Sequence, residues 1–262
     1  MPPAALSIAG SDPSGGAGIQ ADLKTFHRFG VYGEAAIALI TVQNSVRLSR
    51  VEILPAALVR EQIAAVLEDI PPAAAKTGAL GSAEIVEAVA EMAAGFAFPL
   101  VVDPVLIGKH GARLLSEDAE RAIRDLLIPR AAVITPNIPE AEALTGICAH
   151  DPAGIRRIAV RLCEMGARAA VIKGGHRSGD PVDILFDGVA FHEFASPRVE
   201  TRHTHGSGCT HSAALTACLA LGLPLLEAAA RAKRFVYEAI RTNPGLGAGC
   251  GPVNHRCYPE KS

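Results

Sequence analysis

A cysteine directly after a Gly-Ser-Gly sequence marks the segment of this sequence best suited to chemistry. Residues 204–210 read Thr-His-Gly-Ser-Gly-Cys-Thr and lead into a run of small residues that predicts a helix. The first N–H groups of a helix have no partner within it, and the helix dipole adds positive potential there. We therefore predict an anion site, suited to a phosphate in transfer, formed by the backbone of Gly206, Ser207, Gly208 and Cys209.

Cys209 is the candidate base of this segment. A thiolate at a helix N-terminus is favoured by the dipole, so the thiol could accept a proton from an attacking hydroxyl group. The competing interpretation is a glycine loop that caps a helix and encloses a buried cysteine. The loop residues alone favour neither interpretation over the other.

The same segment holds residue types that bind zinc. His203, His205, Cys209 and His211 each offer a nitrogen or a sulfur ligand. Their spacing matches no familiar zinc site, and two glycines intervene, so a zinc site is the weaker interpretation.

A glycine-rich stretch follows the first apolar run. Residues 16–21 fit the pattern G-x-G-x-x-A, which in dinucleotide-binding proteins follows a strand. Those proteins also carry an acid near the end of the second strand, and residues 39–44 contain none. We therefore interpret residues 10–22 as a substrate loop. Asp22 could accept a hydrogen bond from a small molecule, and Gln43 could read a heterocycle edge with both its donor and its acceptor.

Three polar residues follow short apolar runs that are typical of buried strands. They are Asp103, Asn137 and Lys173. In parallel sheets, ligands bind beyond the carboxyl ends of the strands. We therefore expect these three side chains to meet at one edge of a sheet and to bind a nucleotide.

Carboxylates close to Asn137 indicate a magnesium site. Glu140 and Glu142 fall in the first turn of a predicted helix, where acids also simply favour the helix dipole. Mg²⁺ commonly uses one or two carboxylates together with substrate phosphates. With Asp103 and Lys173 expected nearby, we predict that Asp103 and Glu140 bind Mg²⁺.

Apolar runs alternate with amphipathic segments, which predicts an α/β fold with a mostly parallel central sheet and helices on both faces. Strands are expected at 6–9, 35–41, 73–77, 100–103, 131–137, 169–175, 182–186 and 189–194, the last two joined by an Asp-Gly hairpin turn. Helices are expected at 19–29, 58–67, 85–94, 118–127, 155–165, 209–221 and 225–242, followed by a glycine-rich loop. Since no linker divides the chain, we predict a single domain over residues 1–262.

Composition narrows the function classes. Hydrophobic residues make up 49% of the 262 residues and the net charge is -2, which argues against a nucleic-acid-binding surface. No apolar run reaches the ~18 residues of a membrane span, and the first residues lack the features of a secretory signal. The 6 cysteines form no C-x-x-C pair. We therefore expect free thiols and a cytoplasmic protein without a nucleic-acid or membrane partner.

Together these motifs resemble the hydroxymethylpyrimidine/phosphomethylpyrimidine kinases of thiamine biosynthesis, which belong to the ribokinase-like superfamily. The resemblance covers almost the whole chain. It is carried by residues 8–24 (IAGSDPSGGAGIQADLK), 42–44 (VQN), 76–78 (KTG), 101–105 (VVDPV), 135–144 (TPNIPEAEAL), 173–176 (KGGH), 204–210 (THGSGCT) and 251–255 (GPVNH).

The resemblance implies a homodimeric kinase that uses ATP and Mg²⁺. Its substrates would be 4-amino-5-hydroxymethyl-2-methylpyrimidine and then the monophosphate of that alcohol. The catalytic residues would be Cys209, Gly206, Ser207, Gly208 and Lys173. The nucleotide would be bound by Asp103, Asn137, Lys173 and Thr201, and the pyrimidine by Gly10, Asp22, Val42, Gln43 and Leu80.

Three alternatives stay open. A related group of pyridoxal kinases shares the loop cysteine and is the main one. A protein of this fold could also hold the pyrimidine without turning it over, although the presence of Asp103, Lys173 and Cys209 together argues against mere binding. A dinucleotide-dependent oxidoreductase is the third.

The sequence departs from the family pattern at four positions. Ser207 replaces the usual threonine and keeps its hydroxyl group, whereas Leu80 replaces a common methionine in the expected pocket floor. Cys250 and Arg256 replace residues that are usually histidine and aromatic. These changes bear on substrate preference and on the packing of the tail.

Overall fold

Strands and helices alternate in the computed structural model, which describes residues 2–106, 116–149, 151–175 and 179–257. The strands are β1 (Ala4–Ser11), β2 (Tyr32–Gln43), β3 (Leu48–Ile53), β4 (Ala74–Thr77), β5 (Leu100–Val102), β6 (Val133–Ile134), β7 (Ala170–Ile172), β8 (Val182–Phe186) and β9 (Phe191–Ala195). The helices are α1 (Gly18–Arg28), α2 (Ala56–Asp69), α3 (Ala83–Ala93), α4 (Glu117–Ala122), α5 (Ile138–Thr145), α6 (Pro152–Glu164), α7 (Ser207–Ala220) and α8 (Leu225–Arg241). A π-helical turn and a 3-10 turn continue α4 to Arg130.

The strands form one sheet in the order β3-β2-β1-β4-β5-β6-β7-β8-β9. The pairs from β2 through β1 and β4 to β7 are parallel, whereas β3, β8 and β9 pair antiparallel with their neighbours. The predicted α/β class and mostly parallel sheet are therefore confirmed. The antiparallel strands lie at the two edges of the sheet. The central strands are parallel, so their carboxyl ends lie side by side at one end of the sheet.

Apolar clusters cover both faces of this sheet, as predicted. One buries side chains of helices α2 to α6, including Ile63, Val89 and Ile158. On the other face, α7 and α8 pack through residues such as Leu215 and Phe235, and α1 joins them through a third cluster. Within the described ranges, no helix is both long and apolar enough to span a membrane.

The structure shifts several element boundaries and adds a strand. Helix α7 begins at Ser207, two residues before its predicted start, so Cys209 lies inside the first turn. Strand β2 extends to Gln43, and β3, which the sequence analysis missed, pairs with it. The single domain stays a prediction, and His176 of the family motif lies outside the described residues.

Glu34 is a buried acid in β2 that forms no ion pair among the described residues. The side chain is 8% exposed, and Oε2 has no hydrogen-bond partner there. Burial raises the pKa of Glu34 to about 7. The pKa of Glu34 is higher in the folded protein than in the unfolded chain. The free energy of unfolding therefore keeps its full contribution from protonated Glu34 below the unfolded pKa. This contribution is lost as the pH rises through about 7.

We expect Glu34→Gln to stabilise the protein at pH 8 by about 1 kcal/mol, a value that allows for solvent screening, and to have little effect at pH 4. Glutamine keeps the shape but carries no charge. Urea unfolding at both pH values measures this, with the exposed Glu68→Gln in α2 as the control. An equal effect at both pH values would contradict the ionisation argument.

Candidate active site

The carboxyl ends of β5, β6 and β7 deliver a hydrogen-bonded cluster around Asp103. Lys173 Nζ lies 2.9 Å from Asp103 Oδ1, and Thr135 Oγ1 donates to the same oxygen at 3.3 Å. Ser212 Oγ of α7 donates to Asp103 Oδ2 at 3.0 Å. Asp103 is 1% exposed, so every neighbour of its carboxylate is fixed by protein. The strand-end interpretation of Asp103 and Lys173 is thus correct in placement.

Lys173 carries its positive charge to the start of α7. A Cβ atom built on Gly208 would lie 3.3 Å from Lys173 Nζ, so the ammonium group borders the backbone there. Burial acts to lower the pKa of Lys173, but Asp103 and Glu140 outweigh it and the pKa is raised. A fixed cation therefore stands beside N–H groups that point out of the helix.

One of the four N–H groups at the start of α7 is already used within the protein. Gly206 caps the helix with φ 78°, a left-handed conformation that favours glycine. The Ser207 N–H donates to the Thr204 carbonyl at 3.2 Å. The N–H groups of Gly208 and Cys209 have no acceptor within the helix. The predicted anion site is therefore centred on Gly208 and Cys209, and we call these two N–H groups with Lys173 Nζ the anion cradle.

Cys209 does not have the easily ionised thiol that its position at a helix start predicts. Part of its surface is accessible, but it lies deep among other groups, and burial raises the pKa of its thiol to about 11. Lys76 acts to lower this pKa, while Asp22 and Asp103 act to raise it. Desolvation outweighs the positive neighbours, and the role of Cys209 as the base stays a prediction.

Glu140 and Asn137 form the start of α5. The Asn137 side chain accepts the Glu140 N–H at 2.9 Å, and Glu140 Oε2 accepts the Asn137 N–H at 2.8 Å. This is a capping box, the structural alternative to a purely functional interpretation. The Asn137 backbone also pairs with that of Lys173.

The charges around Glu140 fit a divalent cation. Burial raises its pKa to about 7, Asp103 adds to that rise and Lys173 opposes it. One more positive charge beside Glu140 would favour its carboxylate form. Oxygen ligands of this kind suit Mg²⁺. Within the described residues, no group of three His, Cys, Asp or Glu could hold a metal ion by itself, so phosphate oxygens would have to complete the coordination.

Asp22 lies beneath the site and not on its surface. It is 0% exposed, and its Oδ2 accepts hydrogen bonds from Lys76 Nζ at 2.7 Å and Ser7 Oγ at 2.6 Å. Its Oδ1 has no hydrogen-bond partner among the described residues. Asp22 therefore has no accessible oxygen for the substrate contact that the sequence predicted.

Lys76 is the charged residue that the sequence analysis overlooked. It lies in β4, is fully buried, and pairs with Asp22. Burial acts to lower the pKa of Lys76, but Asp22, Cys209 and Asp103 outweigh it and the pKa is raised. A lysine within the small apolar run of residues 73–77 was the available signal, since a buried lysine needs a partner.

The residues predicted to contact the pyrimidine differ in how deeply they are buried. Gly10 approaches β2, where an added Cβ atom would lie 2.5 Å from Leu39 Cδ1. Leu80 is 1% exposed and packs in the core cluster, so it shapes the site from below. Gln43 is half-buried at the end of β2, whereas Val42 is 54% exposed. The structure brings Gly10 and Leu80 close to β2 but leaves Val42 facing outward.

The hydrogen bonds of Thr201 do not connect it to the cluster around Asp103. Its Oγ1 accepts the His203 N–H at 3.1 Å and an Asn243 Nδ2 hydrogen at 3.4 Å. Its contact with a nucleotide stays a prediction. Nothing in these bonds brings it to Lys173.

The zinc interpretation of the histidines is wrong for the residues that the structure describes. His205 Nε2 bonds to Asp12, His203 Nδ1 accepts the Gly251 N–H, and His211 turns toward Asp183 at 3.7 Å. The three rings therefore face three different partners.

Asp183 fixes the backbone that carries Lys173. Its Oδ1 accepts the Gly174 N–H at 2.9 Å and a Lys233 Nζ hydrogen at 2.8 Å. An added Cβ atom on Gly174 would lie 1.9 Å from the Val182 carbonyl oxygen, so only glycine fits. Sequence reasoning missed Asp183 and Lys233 because neither lies in a motif.

Comparison with known proteins assigns the family. A profile described as phosphomethylpyrimidine kinase matches residues 12–254. The chain belongs to the phosphomethylpyrimidine kinase family. Among relatives of this family, a hydroxymethylpyrimidine/phosphomethylpyrimidine kinase of Bacillus subtilis (strain 168) is 45% identical over 261 residues, which are 98% of this chain and 96% of that protein.

A longer relative is the thiamine biosynthesis bifunctional protein ThiED of Geobacter sulfurreducens. It is 49% identical over 252 residues, which are 95% of this chain. The chain spans 51% of that relative's length. The match therefore concerns one part of a two-function protein.

Solved structures of two kinases share the fold. Phosphomethylpyrimidine kinase of Clostridium difficile 630 is 43% identical with a TM-score of 0.81, covering 90% of this chain and 98% of its own. Pyridoxal kinase of Bacillus subtilis, in an ADP complex, is 36% identical with a TM-score of 0.90, covering 97% of this chain and 98% of its own. The family thus stands structurally close to pyridoxal kinases.

We expect Lys76→Met to lower the free energy of unfolding by about 3 kcal/mol, because it leaves Asp22 buried without its cation. The double variant Asp22→Asn with Lys76→Met loses much less, since no charge is then stranded. Urea unfolding measures both, and Arg60→Met, which removes an exposed ion pair with Glu91, is the control with a loss below about 1 kcal/mol. Additive losses in the double variant would contradict the coupling.

Proposed function

We propose that this chain phosphorylates the hydroxymethyl group of 4-amino-5-hydroxymethyl-2-methylpyrimidine and then adds a second phosphate to the product, with MgATP as donor. The observation that carries the proposal is the anion cradle, in which Lys173 Nζ borders the free N–H groups of Gly208 and Cys209. Phosphoryl transfer needs mainly positioning and charge stabilisation, which this arrangement supplies. The family membership supports the same reaction.

In the proposed reaction the substrate oxygen attacks the γ-phosphorus, the bond to the β-phosphate oxygen breaks, and ADP leaves. The cradle holds the migrating phosphoryl group through the Gly208 and Cys209 N–H groups. Lys173 neutralises phosphate charge and is kept in place by Asp103. Asn137 orients the nucleotide side of the site through the backbone that it shares with Lys173.

Asp103 and Glu140 would hold Mg²⁺, which when bound neutralises charge on the phosphates. The support for this assignment is the excess of carboxylate over ammonium charge around Glu140. Nucleotide binding is supported by the ADP complex of the related pyridoxal kinase.

Cys209 orients the substrate hydroxyl group. A thiol with a pKa of about 11 is protonated at neutral pH. It either donates its S–H to the substrate hydroxyl oxygen or accepts the hydroxyl hydrogen at sulfur. To act as the base, Cys209 must first lose its own proton. In a loose transition state the hydroxyl proton leaves late and can pass to an oxygen of the transferred phosphoryl group, so an orienting thiol is compatible with transfer.

Gln43 binds the aminopyrimidine edge in this proposal. Its amide offers both a donor and an acceptor, as the amino group and ring nitrogen require. Gly10 and Leu80 bound the same pocket, and Val42 contributes backbone. Asp22 does not contact the pyrimidine in this proposal, since neither its carboxylate nor the ammonium group of its partner Lys76 has accessible surface.

Pyridoxal is the second candidate substrate. The observation in its favour is the high structural similarity to the pyridoxal kinase of Bacillus subtilis, with a TM-score of 0.90. Its phosphorylated group is also a hydroxymethyl group on a six-membered heterocycle, so the same cradle would serve.

We also propose that the protein works in the cytoplasm as a homodimer. The free cysteines Cys148, Cys163, Cys218 and Cys257 support a reducing compartment. Exposed apolar side chains of β2 and β3, among them Ile40, Val42 and Ile53, support a protein contact at that edge. Sedimentation of the purified protein tests the dimer.

The deciding experiment measures ADP release with MgATP against the hydroxymethylpyrimidine, its monophosphate and pyridoxal. Turnover of both pyrimidines supports the proposal. Turnover of pyridoxal alone assigns the chain to the second candidate. If none is turned over, calorimetric binding of the pyrimidine and of NADPH separates a binding protein from a dinucleotide enzyme.

We expect Cys209→Ala to lower kcat by at least ~10²-fold, because the hydroxyl group loses its partner at the cradle. Binding of ADP, measured by calorimetry, stays within a few-fold of the wild type. Cys148→Ala, at an exposed thiol, is the control. Near-normal turnover of Cys209→Ala would remove Cys209 from the mechanism.

We expect Gln43→Ala to raise the KM for the pyrimidine by roughly 10-fold or more and to leave the KM for ATP nearly unchanged, since a lost hydrogen-bonding pair to a ligand costs 1–3 kcal/mol. Arg50→Ala, at an exposed site on β3, is the matched control. Equal effects on both substrates would argue against a pyrimidine contact.

A further inference from the structure

Asp12 gathers the glycine-rich loop around one carboxylate. Its Oδ1 accepts the Ser14 N–H at 2.8 Å, and its Oδ2 accepts the N–H groups of Gly16 at 3.2 Å and Ala17 at 2.9 Å and the Ser14 hydroxyl at 2.9 Å. Asp12 is 1% exposed. The N–H groups of Ser14, Gly16 and Ala17 therefore point at the protein's own carboxylate and are not free for a ligand's phosphate.

His205 completes the hydrogen bonding of Asp12 from the other end of the sequence. Its Nε2 lies 2.8 Å from Asp12 Oδ2. Burial acts to raise the pKa of Asp12, but the hydrogen bonds from His205 and Ser14 outweigh it and the pKa is lowered. The carboxylate is thus ionised, and an ionised carboxylate only accepts, so His205 Nε2 is the donor.

The backbone of His205 is fixed as well. Its N–H donates to the Gly251 carbonyl at 3.0 Å, and its carbonyl accepts the Val253 N–H at 3.3 Å. The ring is 5% exposed. Three separate segments, the glycine-rich loop, residues 204–208 and the tail near Gly251, therefore meet at this one residue.

The two loops touch so closely that only glycine fits between them. A Cβ atom on Gly206 would lie 1.8 Å from the Gly16 carbonyl oxygen, and one on Gly16 would lie 2.5 Å from His205 Cδ2. Gly206 is the cap of α7, one residue from its first turn. A shift of the glycine-rich loop would therefore move the start of α7 and with it the anion cradle.

We propose that the Asp12–His205 hydrogen bond sets the distance between the glycine-rich loop and the anion cradle, which makes His205 a positioning residue for phosphoryl transfer. The inference rests on the proposed function. Gly10 and the glycine-rich loop hold the substrate, whereas Gly208 and Cys209 hold the group in transfer. Rates of such reactions depend steeply on the approach of the two reacting groups.

The test compares His205→Leu with His205→Gln. The glutamine Nε2 can donate from nearly the position of the histidine Nε2, whereas leucine fills the space without donating. We expect His205→Leu to lower kcat for the pyrimidine by at least ~10-fold, with the KM for ATP within about 2-fold of the wild type. We expect His205→Gln to recover kcat to within about 3-fold of the wild type.

A matched pair elsewhere provides the control. His192 Nε2 lies 3.0 Å from Asp187 Oδ2 on the β8–β9 hairpin, so His192→Leu removes the same kind of contact away from the site. We expect no change in kcat there. Should His205→Leu fail to fold, His205→Asn replaces it, because its shorter amide stops before Asp12. It is expected to lose the same ~10-fold that His205→Gln restores.

Hydrogen exchange without substrate separates this inference from the proposed function. In His205→Leu we expect faster exchange of amides 14–17 and 206–210, and near-normal exchange in His205→Gln. This result supports the link between the loops even if the substrate panel is silent. The inference is overturned if His205→Leu keeps kcat within 2-fold, if glutamine is as impaired as leucine, or if exchange at 206–210 is unchanged.

Discussion

The ion pair between Lys173 and Asp103 is the contact on which the site depends. It joins the ends of β5 and β7 across β6, and through Ser212 it ties both strands to α7. A buried ammonium group costs free energy unless a carboxylate compensates it, so neither residue is tolerable without the other. The contact between the two side chains sets the distance from the strand ends to the start of α7, and this distance fixes where Lys173 lies relative to the N–H groups of the anion cradle.

Two further lysine–aspartate pairs repeat this design around the same helix. Lys76 and Asp22 join β4 to α1, and Lys233 and Asp183 join α8 to β8. Pairs of this kind seldom stabilise a fold more than apolar residues would. Their value here is specificity, since each of these lysines donates a hydrogen bond to an aspartate on another element and thereby fixes one element relative to the other.

The sequence made the fold predictable because its signals were local. Apolar runs of three to eight residues between amphipathic segments gave the parallel strands, and polar residues at their ends led directly to Asp103 and Lys173. Strand β3 was missed because exposed charged residues such as Arg50 and Glu52 interrupt its apolar pattern. The depth of Asp22 and the elevated pKa of Cys209 depend on neighbours distant in sequence, which no local pattern contains.

The contacts of the tail have a consequence for how the protein is made. All strands that the structure describes are complete by Ala195, yet His205 is held by Gly251 and Val253, and Gly249 and Cys250 bond to Ser45 beyond the end of β2. During synthesis on the ribosome, residues 249–253 are therefore added well after the last described strand. The contacts that hold the junction of the loops can form only once the tail has been made.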